Sequence, residues 1–187
     1  MFIVFEGIDG SGKSSVIARL KESLEASGRK VIVTAEPTQG AVGKFVAETD
    51  DLIPEAEALL FTADRATHTS EVRKWMDDGY DVICDRYFGS TLAYQSAAGM
   101  DIGWLKAINS KVTIRPDVTI LMDIDPGVSL KRVSERGEMS RFEKLDYLRK
   151  VRDAYLSIAD EFGFITVDAD RDRDIVANEV ISIVGGN

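Results

Sequence analysis

The sequence predicts an α/β fold: a five-stranded parallel sheet with helices on both faces. Two observations carry that expectation. Five short apolar runs are separated by segments with helical apolar spacing, and the first run ends in a glycine-rich turn that opens a helix. Parallel neighbours need crossovers and bury both faces of the sheet, so their strands read as near-continuous apolar runs. A length of 187 residues, 44% of them hydrophobic, suits one compact domain spanning 1–187, with no repeat or low-complexity tract.

Each element follows in order. Phe2–Glu6 is the first strand, and it runs into Gly7-Ile8-Asp9-Gly10-Ser11-Gly12. Val16, Ile17, Leu20 and Leu24 then mark one face of a helix that Gly28 stops. Residues 31–33 are expected as a second buried strand. Pro54 opens a helix through Leu59, Leu60, Ala63 and Trp75 towards Gly79. Residues 81–84 form a third strand, and residues 118–122 a fourth between Pro116 and Pro126. Leu145, Leu148, Val151, Tyr155, Ile158 and Phe162 make a long amphipathic helix. Residues 164–167 are the fifth strand and 175–184 the closing helix. Ligands of such sheets sit beyond the carboxyl ends of the strands, so the residues just after each strand are the ones to inspect.

Composition excludes several functions. The chain has 23 Lys and Arg against 32 Asp and Glu, a net charge of −9. That argues against nucleic acid as a partner, because phosphate-backbone binding needs a basic face. No run approaches the roughly 20 consecutive apolar residues of a membrane span. The first strand meets Glu6 and glycines too soon for a signal peptide. A single cysteine, Cys84, cannot form an internal disulfide and fits a reducing, cytoplasmic setting. Inside an apolar strand it reads as an inert small hydrophobe. His68, the one histidine, lacks the partners of a zinc site and is expected on a helix surface near the pocket rim.

The segment from Gly7 to Ser14 fits the spacing Gly, four residues, Gly-Lys-Ser/Thr, with a strand before and a helix after. It predicts the P-loop NTPase fold. Its glycines let successive N–H groups point at an anion, and the following helix adds its unpaired N–H groups and positive dipole end. Gly7, Ile8, Asp9, Gly10, Ser11, Gly12, Lys13, Ser14 and Ser15 are therefore candidates for binding ATP. Lys13 supplies charge for the β- and γ-phosphates, and the Ser14 hydroxyl can join the shell of a Mg²⁺. The loop does not identify the acceptor. A guanine-reading Asn-Lys-x-Asp is missing: Asn109-Ser110-Lys111-Val112 lacks both the Asp and a preceding strand. This disfavours a GTP switch.

Asp85-Arg86-Tyr87 follows the third strand. Asp85 can bind Mg²⁺ and Arg86 can grip phosphate, or the two can form a surface ion pair; beside a phosphate loop the first reading gains. Asp123 and Asp125, after the fourth strand, rank below Asp85 as metal acids. Three blocks now carry a likeness. Phe5 to Ser14, Leu59-Leu60-Phe61-Thr62-Ala63-Asp64-Arg65, and Asp85-Arg86-Tyr87 with Ser90 and Ala93-Tyr94-Gln95 resemble thymidylate kinase. The likeness extends to residues 136–143 and to Val167-Asp168-Ala169, and so covers nearly the whole chain in order.

The resemblance implies transfer of the ATP γ-phosphoryl group to dTMP, with Mg²⁺, in a homodimer. It implies that Phe61 stacks on the thymine ring, that Arg65 bonds the base edge, and that Tyr94 crowds the sugar 2′ carbon. Without it, Phe61 reads as core and Arg65 as a solvated charge. Ser90 and Gln95 line the same pocket, and Asp9 lies near the acceptor phosphate and metal. Residues 136–142 match a short lid. Since the chain has Gly10 where some relatives have Arg, Arg136 and Arg141 are the candidate catalytic arginines beside Lys13 and Arg86, with Arg132 a helix residue pointing elsewhere. One departure stands out. The family carries an acceptor-phosphate Arg near Glu36-Pro37, but residues 34–40 here contain neither Arg nor Lys. Arg86 with another basic residue, Arg65 or Arg73, must hold that phosphate, or the acceptor differs. Rival functions are a deoxynucleoside kinase using Glu36 as base, another pyrimidine monophosphate kinase, and an ATP-binding switch with no small acceptor.

Overall fold

A computed structural model describes residues 1–134 and 145–185. Its elements run β1 (Phe2–Glu6), α1 (Lys13–Ala26), β2 (Val31–Ala35), α2 (Ala41–Glu48), α3 (Pro54–Asp77), β3 (Asp81–Asp85), α4 (Phe88–Ala97), α5 (Ile102–Asn109), β4 (Val118–Asp123), α6 (Pro126–Ser134), α7 (Leu145–Phe162), β5 (Ile165–Asp168) and α8 (Arg173–Gly185). All five strands are parallel, in the order β2-β3-β1-β4-β5. The five strands and the principal helices lie where the sequence places them. The short helices α2, α4 and α5 are additions to that expectation, because their apolar spacing is too brief to announce a period.

The three inner strands are buried, as a sheet covered on both faces requires. Residues 31–33 are not a buried strand: β2 forms an edge, and Val33 is 44% exposed. β5 is the other edge and keeps only Val167 buried. α1 packs with α8 in one layer, while α3, α4, α5 and α7 pack with one another in the other. No helix among the described residues is long and apolar enough to cross a membrane.

This order places the functional edge. β1 lies between β3 and β4, so the loop that leaves β1 emerges beside the ends of both neighbours. Phe5 pairs with Asp85, which brings the start of the phosphate loop level with Asp85-Arg86-Tyr87. The Arg86 N–H then donates to the Phe5 carbonyl (2.8 Å) and ties the two loops together.

Candidate functional site

The phosphate loop closes onto the first turn of α1. Gly10, at φ +75, abuts α6: a Cβ there would lie 2.8 Å from the Ser129 carbonyl oxygen. A side chain at this position would collide with the α6 backbone. Lys13 is buried and donates from Nζ to the carbonyls of Gly7 (3.0 Å) and Ile8 (3.3 Å). Burial, with Arg86 nearby, pushes its pKa down from 10.5 to about 8.

The two side chains expected at a metal, Asp85 and Ser14, both carry oxygen donors. Asp85 Oδ1 is buried with no hydrogen-bond partner among the described residues, 3.9 Å from Lys13 Nζ. Ser14 is exposed at the start of α1. No group of three or more His, Cys, Asp or Glu able to hold a metal by itself occurs among the described residues. Mg²⁺ is usually held by one or two protein oxygens together with substrate phosphates and water, a need that the oxygens of Asp85 and Ser14 fit. Asp123 is otherwise engaged: Arg152 grips both its oxygens (2.7 and 2.8 Å). Asp125 accepts from the Gly127 and Val128 N–H groups at the start of α6.

Two cavities flank the loop. One, of about 270 Å³, is lined by Gly10, Ser11, Gly12, Ser15, Arg19, Arg132, Arg171 and Arg173 among others. Arg132 does not point elsewhere, as the sequence led one to expect. It lines this cavity and donates to the Ala169 carbonyl (3.2 Å), joining α6 to the loop after β5. The second cavity, of about 180 Å³, is lined by Asp9, Glu36, Pro37, Phe61, Arg65, Arg86, Tyr87, Ser90, Thr91, Tyr94 and Gln95. Phe61, Arg65, Arg86, Ser90, Tyr94 and Gln95, dispersed over α3, α4 and the turn between β3 and α4, are thus brought together. Arg73 is exposed and does not line the cavity. Arg136 and Arg141 lie outside the described residues.

Arg65 is wholly buried, neither solvated nor free to swing. Nε donates to Glu36 Oε2 (2.8 Å), Nη2 to Thr91 Oγ1 (3.0 Å), and Nη1 to Asn109 Oδ1. His68 is not on the surface: it is 1% exposed, with Nδ1 on Glu36 Oε1 (2.8 Å) and Nε2 on Thr34 Oγ1 (2.9 Å). The reason is its place on α3. Phe61, Asp64, Arg65 and His68 follow at three- and four-residue spacing, and the segment after β2 covers that face. Thr38 donates from its N–H and hydroxyl to Asp64 (2.7 and 2.6 Å), completing the clasp.

Arg86 lines the second cavity, paired with Asp9 of the phosphate loop. Its backbone is left-handed, φ +68, which is strained for a residue with a side chain. The buried Cys84 thiol donates to its carbonyl (2.9 Å). The guanidinium pairs with Asp9, reaches Ser90 Oγ (3.3 Å), and lies over the Tyr94 ring at 5.3 Å. Partial burial would raise the Asp9 carboxyl, but the charges of Arg86 and Lys13 together hold it below its usual 3.8. Sequence reasoning missed Glu6, Tyr155, Thr91 and Asn109, which support this site. Glu6 had a visible signal, an acid at the end of a wholly apolar strand; Tyr155 and Asn109 had none.

Comparisons with known proteins agree with this geometry. The family model described as thymidylate kinase matches residues 5–180. A probable thymidylate kinase of Archaeoglobus fulgidus is 42% identical over 98% of this chain and 94% of its own length. One of Pyrobaculum calidifontis is 42% identical over 98% of this chain and 95% of its own. Another, of Pyrococcus horikoshii, is 45% identical over 86% and 83% respectively.

Proposed function

We propose, from the premise that this chain belongs to the thymidylate kinase family, that it transfers the γ-phosphoryl group of ATP to dTMP, forming ADP and dTDP. One observation supports this above the rest. Consecutive loop residues, Asp9 and Gly10, line different cavities, so two ligands placed there meet head to head at the phosphate loop.

The reaction moves one group between two anions. An oxygen of the dTMP 5′-phosphate bonds to the γ-phosphorus, and the bond from that phosphorus to the β,γ-bridging oxygen breaks, its electron pair leaving with ADP. The attacking oxygen is already an anion, so no general base is needed. Positioning and charge neutralisation are the protein's contribution. Loop N–H groups and Lys13 hold the donor, and Arg86, beside Asp9, holds the acceptor phosphate. Since Arg73 and Lys44 do not line the acceptor cavity and Arg65 is bound to Glu36, Arg86 compensates for the missing arginine near Glu36-Pro37. Ser14 and Asp85 would hold Mg²⁺, which supplies neutralising charge to the β- and γ-phosphates. Arg136 and Arg141 are proposed to add positive charge during transfer.

Base choice follows from the far end of the acceptor cavity. Gln95 Oε1 is buried with no partner among the described residues, and it suits the imino N–H of thymine. Phe61 offers a flat ring and Arg65 a donor for a carbonyl. Cytosine presents an acceptor where thymine presents that N–H, and it leaves Gln95 unsatisfied. Glu36 has both oxygens committed, to Arg65 and His68, which disfavours it as the base of a nucleoside kinase. We further propose a cytoplasmic homodimer joined through the apolar side chains exposed at Phe45, Ile53 and Leu59, which sedimentation would show as twice the chain mass.

The deciding experiment offers labelled ATP and Mg²⁺ with dTMP, dUMP, dCMP and thymidine in turn. Label is expected in dTDP, with dCMP and thymidine at least about 100-fold poorer. Preference for thymidine, or ATP hydrolysis indifferent to every acceptor, would overturn the assignment.

A further inference from the structure

We propose that Glu6 and Tyr155 are positioning residues for Arg86, acting jointly through Ser90; the proposal rests on the acceptor-phosphate role of Arg86. Glu6 is the last residue of β1 and is fully buried, and its carboxylate reaches the start of α4. Oε1 accepts from the Tyr87 N–H (3.0 Å), and Oε2 accepts from Ser90 Oγ (2.6 Å) and the Tyr155 hydroxyl (3.1 Å). No side chain of α4's own cap residue closes that helix end, so Glu6 does so from a distant strand. The approach is close enough that a Cβ on Gly89 would sit 2.7 Å from Oε1.

This arrangement assigns the hydrogens. Burial raises the Glu6 carboxyl above its ordinary value, opposed by Ser90, Arg86 and Tyr155; in its ionised form it only accepts, so the Ser90 hydrogen goes to Glu6. The Tyr155 hydroxyl lies 2.8 Å from Ser90 Oγ and shares its hydrogen between Ser90 and Glu6. Lone pairs on Ser90 and Tyr155 are then left for Arg86 Nη1, at 3.3 and 3.5 Å. Ser90 thus makes one bond as donor and two as acceptor, its full capacity. Arg86 is held at opposite ends of its planar guanidinium, by Asp9 at Nη2 and by the hydroxyl pair at Nη1, above the Tyr94 ring. Without the second anchor, a long side chain on a left-handed turn could pivot onto Asp9 and lose its aim. Burial pushes the Tyr155 hydroxyl well above its usual value, so it stays protonated and able to donate.

The test uses the whole chain. Tyr155→Phe removes one oxygen and preserves packing; Glu6→Gln keeps the shape but offers a donor where the hydroxyls need an acceptor. Each is expected to raise the KM for dTMP about ten-fold while the KM for ATP stays within two-fold. In an Arg86→Lys background Tyr155→Phe should add little, since the two act as a unit. A second readout does not depend on the acceptor: nitrogen NMR of the Arg86 guanidinium should show hindered rotation in the parent chain and free rotation in Tyr155→Phe. Hindered rotation persisting in that variant would overturn the proposal. So would an unchanged KM for dTMP, or equal losses for both nucleotides tracking a lower melting temperature. If the parent fails to phosphorylate dTMP while Arg86 is released as described, positioning stands and the functional reading fails.

Discussion

Lys13 sits where two demands conflict. Nucleotide binding wants a charged ammonium, and burial disfavours one, leaving its pKa at about 8 against 10.5 when exposed. Between those values the unfolded chain binds more protons than the folded one, so this residue makes stability rise with pH from about 8 upward. Comparing the melting temperatures of the parent and Lys13→Met between pH 8 and 9 should show the parent gaining on the variant. Binding of ATP restores the charge, so calorimetry at pH 8.5 in buffers of different ionisation heat should detect proton uptake. Lys13→Ala is expected to fold and to lose turnover by about 1,000-fold or more. Glu36→Gln illustrates the opposite case, a committed partner removed. It leaves Arg65 short of an anion in a buried place, at a cost of about 3 kcal/mol or more. Thermal unfolding should show that loss, together with a raised KM for dTMP.

At the level of elements, a helix face and a strand end build the acceptor cavity. α3 presents Phe61 and Arg65 one turn apart, so both line the same cavity. α4 presents Tyr94 and Gln95, and α7 braces it: the Tyr147 hydroxyl donates to the Tyr94 carbonyl (2.9 Å). If the Tyr94 ring crowds the sugar, Tyr94→Leu should narrow the preference for dTMP over its ribose counterpart by about ten-fold, measured as a ratio of kcat/KM. Much of this was readable beforehand. The loop from Gly7 to Ser14 and the triplet Asp85-Arg86-Tyr87 announce themselves, because strand, turn and helix leave local traces in adjacent residues. The burial of Arg65 and His68 left no such trace: each reads as polar on its own helix, and only the return of the segment after β2 covers them.

Across the whole molecule, charge is distributed unevenly. The chain carries −9 overall, yet Arg19, Arg132, Arg171 and Arg173 line the cavity proposed for ATP, with Asp174 among its lining and Asp170 and Glu179 paired to two of these arginines. Attraction of a polyanion to such a patch is screened by salt, so ATP affinity should fall as ionic strength rises. Arg132→Ala should raise the KM for ATP several-fold and leave that for dTMP unchanged, as steady-state kinetics would show.

The order of apolar runs and the glycine spacing by themselves determined a parallel sheet with a phosphate loop at the end of its first strand. They did so because strand period, helix period and turn chemistry are local properties of the chain. What only the tertiary structure decided was which distant groups share a hydrogen bond. Glu6 meets Tyr155, 149 residues further on, and Glu36 meets Arg65, 29 residues on, through packing that no local pattern encodes. The buried carboxylates acquire their partners only when strands and helices from separate parts of the chain close around them and water leaves.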